Sequence, residues 1–126
     1  MAHSLRGSFI DEYLARYAGT YGGIPLVSRL HHDEKRQLEN QEGPEKLSFL
    51  NVRHGPRAWN FQTVLDATGQ VLLERIVAFG PHLEVVTCDA VDAEYSIVSV
   101  TSSADRANPE TVRYATPIQD GIKALF

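Results

Sequence analysis

Between Leu47 and Thr116 the chain is a succession of short β-rich runs broken by turn signals, and this narrows its architecture more than any other feature. "AWNFQTVLD" alternates Trp59, Phe61, Thr63 and Leu65 against Asn60, Gln62 and Val64, the period of a half-buried strand. "LDATGQVL" reads as a hairpin: Asp66 opens the turn, and Gly69 can take positive φ. "HLEVVTC" and "EYSIVSVTS" are two further strands joined by the acidic turn "DAVDA", and "ETVRYAT" is a last strand after the loop "SADRANP". Residues 71–79 also fit a helical stripe through Val71, Leu72, Arg75, Ile76 and Phe79, with Gly80-Pro81 as its stop. The strand is preferred, because Asp-x-x-Gly between two β-rich runs is the stronger local signal.

Helices are expected on either side of this region. Phe9, Ile10, Tyr13, Leu14 and Tyr17 line one face of a helix that Ser8 can cap. "GTYGGIP" is a loop, and residues 26–42 make a second, mostly solvated helix with a thin apolar stripe of Val27, Leu30 and Leu38. At the other end Thr116 is a candidate cap, Pro117 the first helical residue and Gln119 the partner in a capping box, with Ile118, Ile122 and Leu125 as the stripe. The expected fold is therefore a single α+β domain over residues 1–126. Two N-terminal helices pack on a curved antiparallel meander of about five strands, and a short helix closes the chain. Cone-shaped barrels such as the nuclear-transport-factor-2 (NTF2-like) and cystatin folds have this inventory, an analogy of fold that carries no activity with it.

Composition limits the function. The net charge of −4 argues against a nucleic acid as partner, since a phosphate backbone needs a basic surface. Cys88 is the only cysteine, which excludes an intramolecular disulfide and a multi-cysteine metal site and favours a reducing compartment. The N-terminus lacks an apolar core of signal-peptide length, and no run approaches the roughly 20 apolar residues of a membrane span. A cytoplasmic protein without membrane contact is the expectation.

"NVRHGPRAWN" carries the one recognisable motif. A short apolar run leading into Arg53-His54-Gly55 resembles the signature of the histidine phosphatases and phosphoglycerate mutases. The resemblance implies His54 as phosphorylated nucleophile and Arg53 as phosphate ligand. It also implies a mostly parallel sheet with crossover helices, a second histidine and an acid to protonate the leaving group. The match covers about ten residues, the only later histidine is His82, and Pro56-Arg57 stands where the mutase branch favours an acid. We read Arg53-His54-Gly55-Pro56 instead as a tight connection between two strands, with glycine and proline there for backbone reasons.

Other candidates are weaker. His31 and His32 are adjacent on a helix, where neighbours diverge by about 100°, so they cannot share one ion, and no metal or cofactor is expected. Cys88 lies in an apolar strand and reads as a buried, inert thiol. If the sheet curls around a pocket, Trp59, Phe61, Tyr95 and Tyr114 are its inward residues, with His54, Glu74 or Arg75 as rare polar members. Trp59, Phe61, Tyr95 and His54 are the candidate ligand residues. No complete catalytic set is present, and the strand at 71–79 carries apolar residues on both faces: Val71, Leu73, Val77 and Phe79 against Leu72, Ile76 and Ala78. One face can be covered by helices, and the other needs a second layer or a partner. The first expectation is a protein-protein interaction or assembly domain, oligomeric and without enzymatic activity. A small-molecule binder or isomerase of the NTF2-like class is the alternative.

Overall fold

A computed structural model describes residues 4–17, 23–82, 84–102 and 110–126, with backbone alone at 4 and 23–27. The elements run α1 (Ser4–Tyr17), α2 (Gly23–Glu39), β1 (Lys46–His54), β2 (Arg57–Leu65), β3 (Val71–Phe79), β4 (Val85–Ala90), β5 (Tyr95–Ser102), β6 (Glu110–Pro117) and α3 (Ile118–Lys123). The strands form one antiparallel sheet in the order β1-β2-β3-β4-β5-β6. The α+β class holds, with six strands rather than five. The extra strand is β1, where an apolar run continues into Arg53 and His54 and pairs along its whole length with β2. Residues 71–79 are a strand. Of the loop expected at 19–25, residues 19–22 lie outside the described residues and 23–25 belong to α2; the loop expected at 103–109 lies outside the described residues.

The turns follow from local chemistry. β1 and β2 are joined by Gly55-Pro56, with Gly55 at φ +59°, the first central position at which type II′ hairpins place glycine. Between β2 and β3 the Asp66 carboxylate accepts the Thr68 N–H (2.8 Å), the Gln70 N–H (2.9 Å) and the Thr68 hydroxyl (2.6 Å), and Gly69 takes φ +86°. Asp92 does the same for β4 and β5, accepting the N–H groups of Glu94 and Tyr95. These bonds favour both carboxylates in their ionised form and hold them below the ordinary range.

Helices cover one face of the sheet, which we call inner. Across it the register sets side chains in rows. Leu50, Phe61, Ile76, Cys88 and Val98 form one apolar row, and Val52, Trp59 and Ala78 the next. Leu5, Phe9 and Tyr13 of α1 and Ile118, Ile122 and Leu125 from the C-terminal segment close over these rows. A third row is polar and equally buried: Ser48, Thr63 and Glu74. The close fit of α3 depends on Gly121, where a Cβ would come within 2.3 Å of Ser96 Oγ and 3.0 Å of Cys88 Sγ.

Three local expectations change. α1 begins at Ser4, four residues before Ser8, because its first N–H groups are satisfied from far away in the chain. The buried Glu74 carboxylate accepts the N–H groups of Leu5 and Arg6, the latter at 3.0 Å, at the positive end of the helix dipole. α2 starts at Gly23 and contains Pro25 in its first turn, where a missing N–H breaks no helical bond. At α3, β6 runs on through Pro117, which is the cap residue with no side-chain bond, and the Ile118 N–H donates instead to the Glu94 carbonyl at 3.0 Å.

The register also breaks the alternation expected in β3. A bulge opposite Val64 and Leu65 aligns Val71 with Leu65 on the inner side and leaves Leu72 exposed. Val71, Glu74, Ile76 and Ala78 therefore point inward, and Leu73, Arg75, Val77 and Phe79 outward.

Candidate functional site

The residues singled out for a pocket divide between the two faces. Trp59 and Phe61 are buried in an aromatic cluster supplied by α1 and the C-terminus. Phe9 meets the ring of Trp59 edge-on at 5.3 Å and that of Phe61 at 4.8 Å, and stacks on Phe126 at 5.1 Å. Trp59 Nε1 donates to the Leu125 carbonyl at 2.8 Å, so its polar atom is satisfied as burial requires. Tyr95 is elsewhere. It begins β5 with its side chain on the outer face, 49% exposed. Tyr114 does lie on the inner face, opposite Val98, but at the uncovered end of the sheet. Alternation along β5 was correctly paired, but which face was buried depended on β4 and α3.

His54 sits at the rim of the aromatic cluster. Its ring stacks on Tyr17 at 3.8 Å, and its Nδ1 shares a hydrogen bond of 3.4 Å with the Tyr13 hydroxyl. Burial, with Tyr17 next to it, raises the pKa of Tyr13 against the opposing pull of Arg29, so this phenol stays protonated at neutral pH. Arg16 lies over the Phe126 ring at 5.1 Å. The group His54, Tyr13 and Tyr17 thus ties the β1–β2 turn to the end of α1. General-base catalysis needs a histidine oriented by a third group and facing a substrate proton. Among the described residues the bonded neighbours of His54 are aromatic rings and one phenol. Arg53, exposed on the outer face, and His54, on the inner one, diverge from the turn. The sheet around them is antiparallel throughout, unlike that of the family their motif resembles.

Glu74 and Arg75 also part company. Glu74 caps α1, whereas Arg75 makes a bidentate ion pair with Asp89 across β3 and β4 on the outer face, at 2.6 and 3.1 Å. That hydrogen-bonded pairing raises the pKa of Arg75 further. Behind the polar row, Arg6 of α1 and Glu34 of α2 form a buried ion pair. Arg6 Nε and Nη2 and Ser48 Oγ have no partner among the described residues. Cys88 is fully buried, and burial pushes its thiol up to about 11, which leaves it protonated and unreactive at neutral pH. His31 and His32 are exposed on α2, and among the described residues no three metal-ligating side chains gather. Between α1 and α3, Ser8, Asp11, Glu12, Gln119 and Ile122 line a shallow groove.

Two features were seen in the sequence only in part or not at all. The first is the outer face. No helix packs on it among the described residues, yet it carries Phe49, 50% exposed, and Phe79, Leu47 and Tyr95 in similar exposure. Its apolar content was readable from the two-faced strand at 71–79, but its extent required the register.

The second is the treatment of the sheet's first edge. On β1 the outward backbone groups belong to Leu47, Phe49 and Asn51. Gln37 of α2 accepts the Phe49 N–H (2.8 Å) and donates to the Phe49 carbonyl (2.7 Å). Gln41 accepts the Leu47 N–H (2.8 Å) and donates to the Leu47 carbonyl, and Arg29 donates to the Asn51 carbonyl (3.0 Å). Gln37 lies in the last turn of α2 and Gln41 just beyond the helix end at Glu39, where its side chain also donates to the Gln37 carbonyl at 3.0 Å, and the two amides reach alternate residues of the edge. In sequence the pair Gln37 and Gln41 is visible, but it looks like any solvated helix face.

Among the described residues no helix is long and apolar enough to cross a membrane. No family model, curated protein or solved structure matches the chain.

Proposed function

We propose that the chain is a protein-protein interaction or assembly domain of the cytoplasm that works through its sheet, with no catalytic role. The observation that carries this reading is the outer face, on which no helix packs among the described residues, with Leu47, Phe49, Phe79 and Tyr95 exposed on it. Antiparallel sheets often turn one face to water, but that face is then polar in alternation. Large apolar side chains spread over such a face mark a surface that meets protein. The burial of Trp59 and Phe61 under α1 and Phe126 points the same way, since it fills with side chains the space a small molecule would use.

Native mass spectrometry of freshly purified protein tests the reading. A defined oligomer or a co-purifying protein, with no added small-molecule mass, is the expected result. A monomer that retains a small ligand would overturn it and return attention to Trp59, Phe61 and His54.

A further inference from the structure

The register can be followed across the outer face through all six strands. Phe49, Gln62, Arg75, Asp89, Ile97 and Ala115 stand in one row, with Val77 beside Thr87 in the next and Phe79 beside Val85 in the one after. Among the described residues of the strands, the charges turned outward are Arg53 on β1, Arg113 on β6 and the Arg75–Asp89 pair at the centre. That pair uses Nε and Nη2 of Arg75 and leaves its Nη1 without a partner among the described residues. Strands of six to nine residues, about 4.8 Å apart and rising about 3.4 Å per residue, give a face of roughly 700 Å². A standard interface takes about 800 Å² from each partner. The face is therefore large enough for a stable complex with another folded surface.

We propose that this face packs against the same face of a second copy of the chain, about a two-fold axis that runs parallel to the strands between β3 and β4. The inference rests on the assembly reading above and names the occupant. Area alone fits any partner of that size, and the charges at the centre select the copy. Sheets packed face to face keep their strands within about 30° of parallel, whereas orthogonal packing is joined by strands that bend from one sheet into the other, which separate chains do not share. A two-fold that keeps strands aligned runs either across them or along them. Run across, it lays each strand on its own copy. Arg75 then meets Leu73, Arg75, Val77 or Phe79 of β3, and Asp89 meets Val85, Thr87 or Asp89 of β4, so neither finds an opposite charge.

Run along the strands, the axis leaves every residue at its own level and exchanges one side of the sheet for the other. In a six-stranded sheet the largest overlap puts it between β3 and β4, so β3 lies on β4 of the second copy. Arg75 of each copy then meets Asp89 of the other, and the two ion pairs join in a ring of four alternating charges. Val77 meets Thr87 and Phe79 meets Val85 at the neighbouring levels. A charge is costly to bury unless it is paired, and here the face supplies its own complement. Arg53 and Arg113 stand on the edge strands, at a rim where water and salt screen them. Face packing leaves the sheet edges as they are. The Ile118 N–H to Glu94 carbonyl bond sets the parity of the β5–β6 ladder, so the backbone groups of Thr111, Arg113 and Ala115 point away from β5 in monomer and dimer alike.

The test is charge reversal in the full chain, read by sedimentation velocity and native mass spectrometry at micromolar concentration. The wild type is expected to be a dimer. Arg75→Glu gathers four acids at the centre and Asp89→Lys four cations, so each should be a monomer with the circular dichroism of the wild type. Mixed in equal amounts, the two variants should recover a dimer holding one chain of each, because the acids of one then face the cations of the other. Phe79→Lys, at an exposed position on the same face, should also give a monomer, and it carries the test if a charge reversal unfolds the chain. Val112→Lys, more exposed still but on the inner face, should leave the dimer intact. A wild-type monomer overturns the proposal, and one that retains a small ligand overturns the assembly reading with it. A dimer that Phe79→Lys leaves intact, or that Val112→Lys dissolves, overturns face packing but keeps the assembly reading. Two folded, monomeric charge reversals that do not recombine overturn the axis.

Discussion

At the β1 edge the outward N–H and carbonyl groups of Leu47 and Phe49 are held by Gln41 and Gln37, whereas at the β6 edge those of Thr111, Arg113 and Ala115 meet no described group. Both are terminal strands of one sheet, of 9 and 8 residues, and neither contains a proline ahead of its last position or a charge run that would repel another chain. An open edge is a template for further pairing, and proteins usually blunt it. Here one edge is blunted by amides from the end of α2 and the residues just after it, in place of a seventh strand, and the other meets no group among the described residues. The difference teaches that edge protection in this fold is selective. Among the side chains described, Leu30 is the member of α2 in the buried core, and the helix packs along β1.

The strongest way to break the contrast is to make the edges alike. Gln37→Ala with Gln41→Ala removes four side-chain to backbone bonds from β1, at about 0.5 kcal/mol each for groups that water can reach, so a loss of roughly 2 kcal/mol is expected in urea denaturation. The exposed β1 should then add a second mode of association, seen as species larger than the wild-type oligomer in sedimentation. Unchanged stability would mean that the glutamines are ornamental to the edge.

A smaller effect separates the edges by one kind of substitution. Phe49→Pro deletes an N–H that Gln37 accepts, whereas Ala115→Pro deletes one that bonds to nothing within the chain. The first should cost about 1–2 kcal/mol, including the amide left unpaired, and the second less than about 0.5 kcal/mol when both are compared as monomers. Equal losses would remove the distinction.

The smallest effect concerns pH. Asp66 has a pKa lowered by its turn bonds, first among them the Thr68 side chain, so its contribution is present above the ordinary carboxylate value of 3.8 and fades as pH falls through the depressed one. Amide exchange at Thr68 and Gln70 should quicken only in that acid window, while the amides of Phe49 and Leu47, held by uncharged glutamines, should not follow it.

Much of this architecture could be read from the chain. Turns announce themselves locally: Asp66 with Gly69, Gly55 before Pro56, and the acids around Asp92 all bond or bend within four residues. The inward placement of Trp59 and Phe61 followed from alternation, as did the stripes of α1 and α3. What could not be read depends on distant partners. Glu74 caps a helix 69 residues earlier in the chain. The bulge at Val64 and Leu65 inverts the expected side for Val71, and the face that Tyr95 takes was decided by register with β4 and β6. The candidate pocket suffered most, because a pocket is a relation between faces and alternation supplies only their parity.

The banding of the inner face has a consequence for misfolding. Sliding β3 by one residue against β2 would turn every side chain to the wrong face, a penalty common to all sheets. Sliding it by two would keep the faces and is the error a plain apolar sheet permits. In this protein that slip would carry the Glu74 carboxylate out of the polar row beside Thr63 and into the row of Phe61, unhooking the first turn of α1 as it went. A single buried acid thus acts as a registration mark: it makes the nearest wrong alignment as costly as a buried, uncompensated charge.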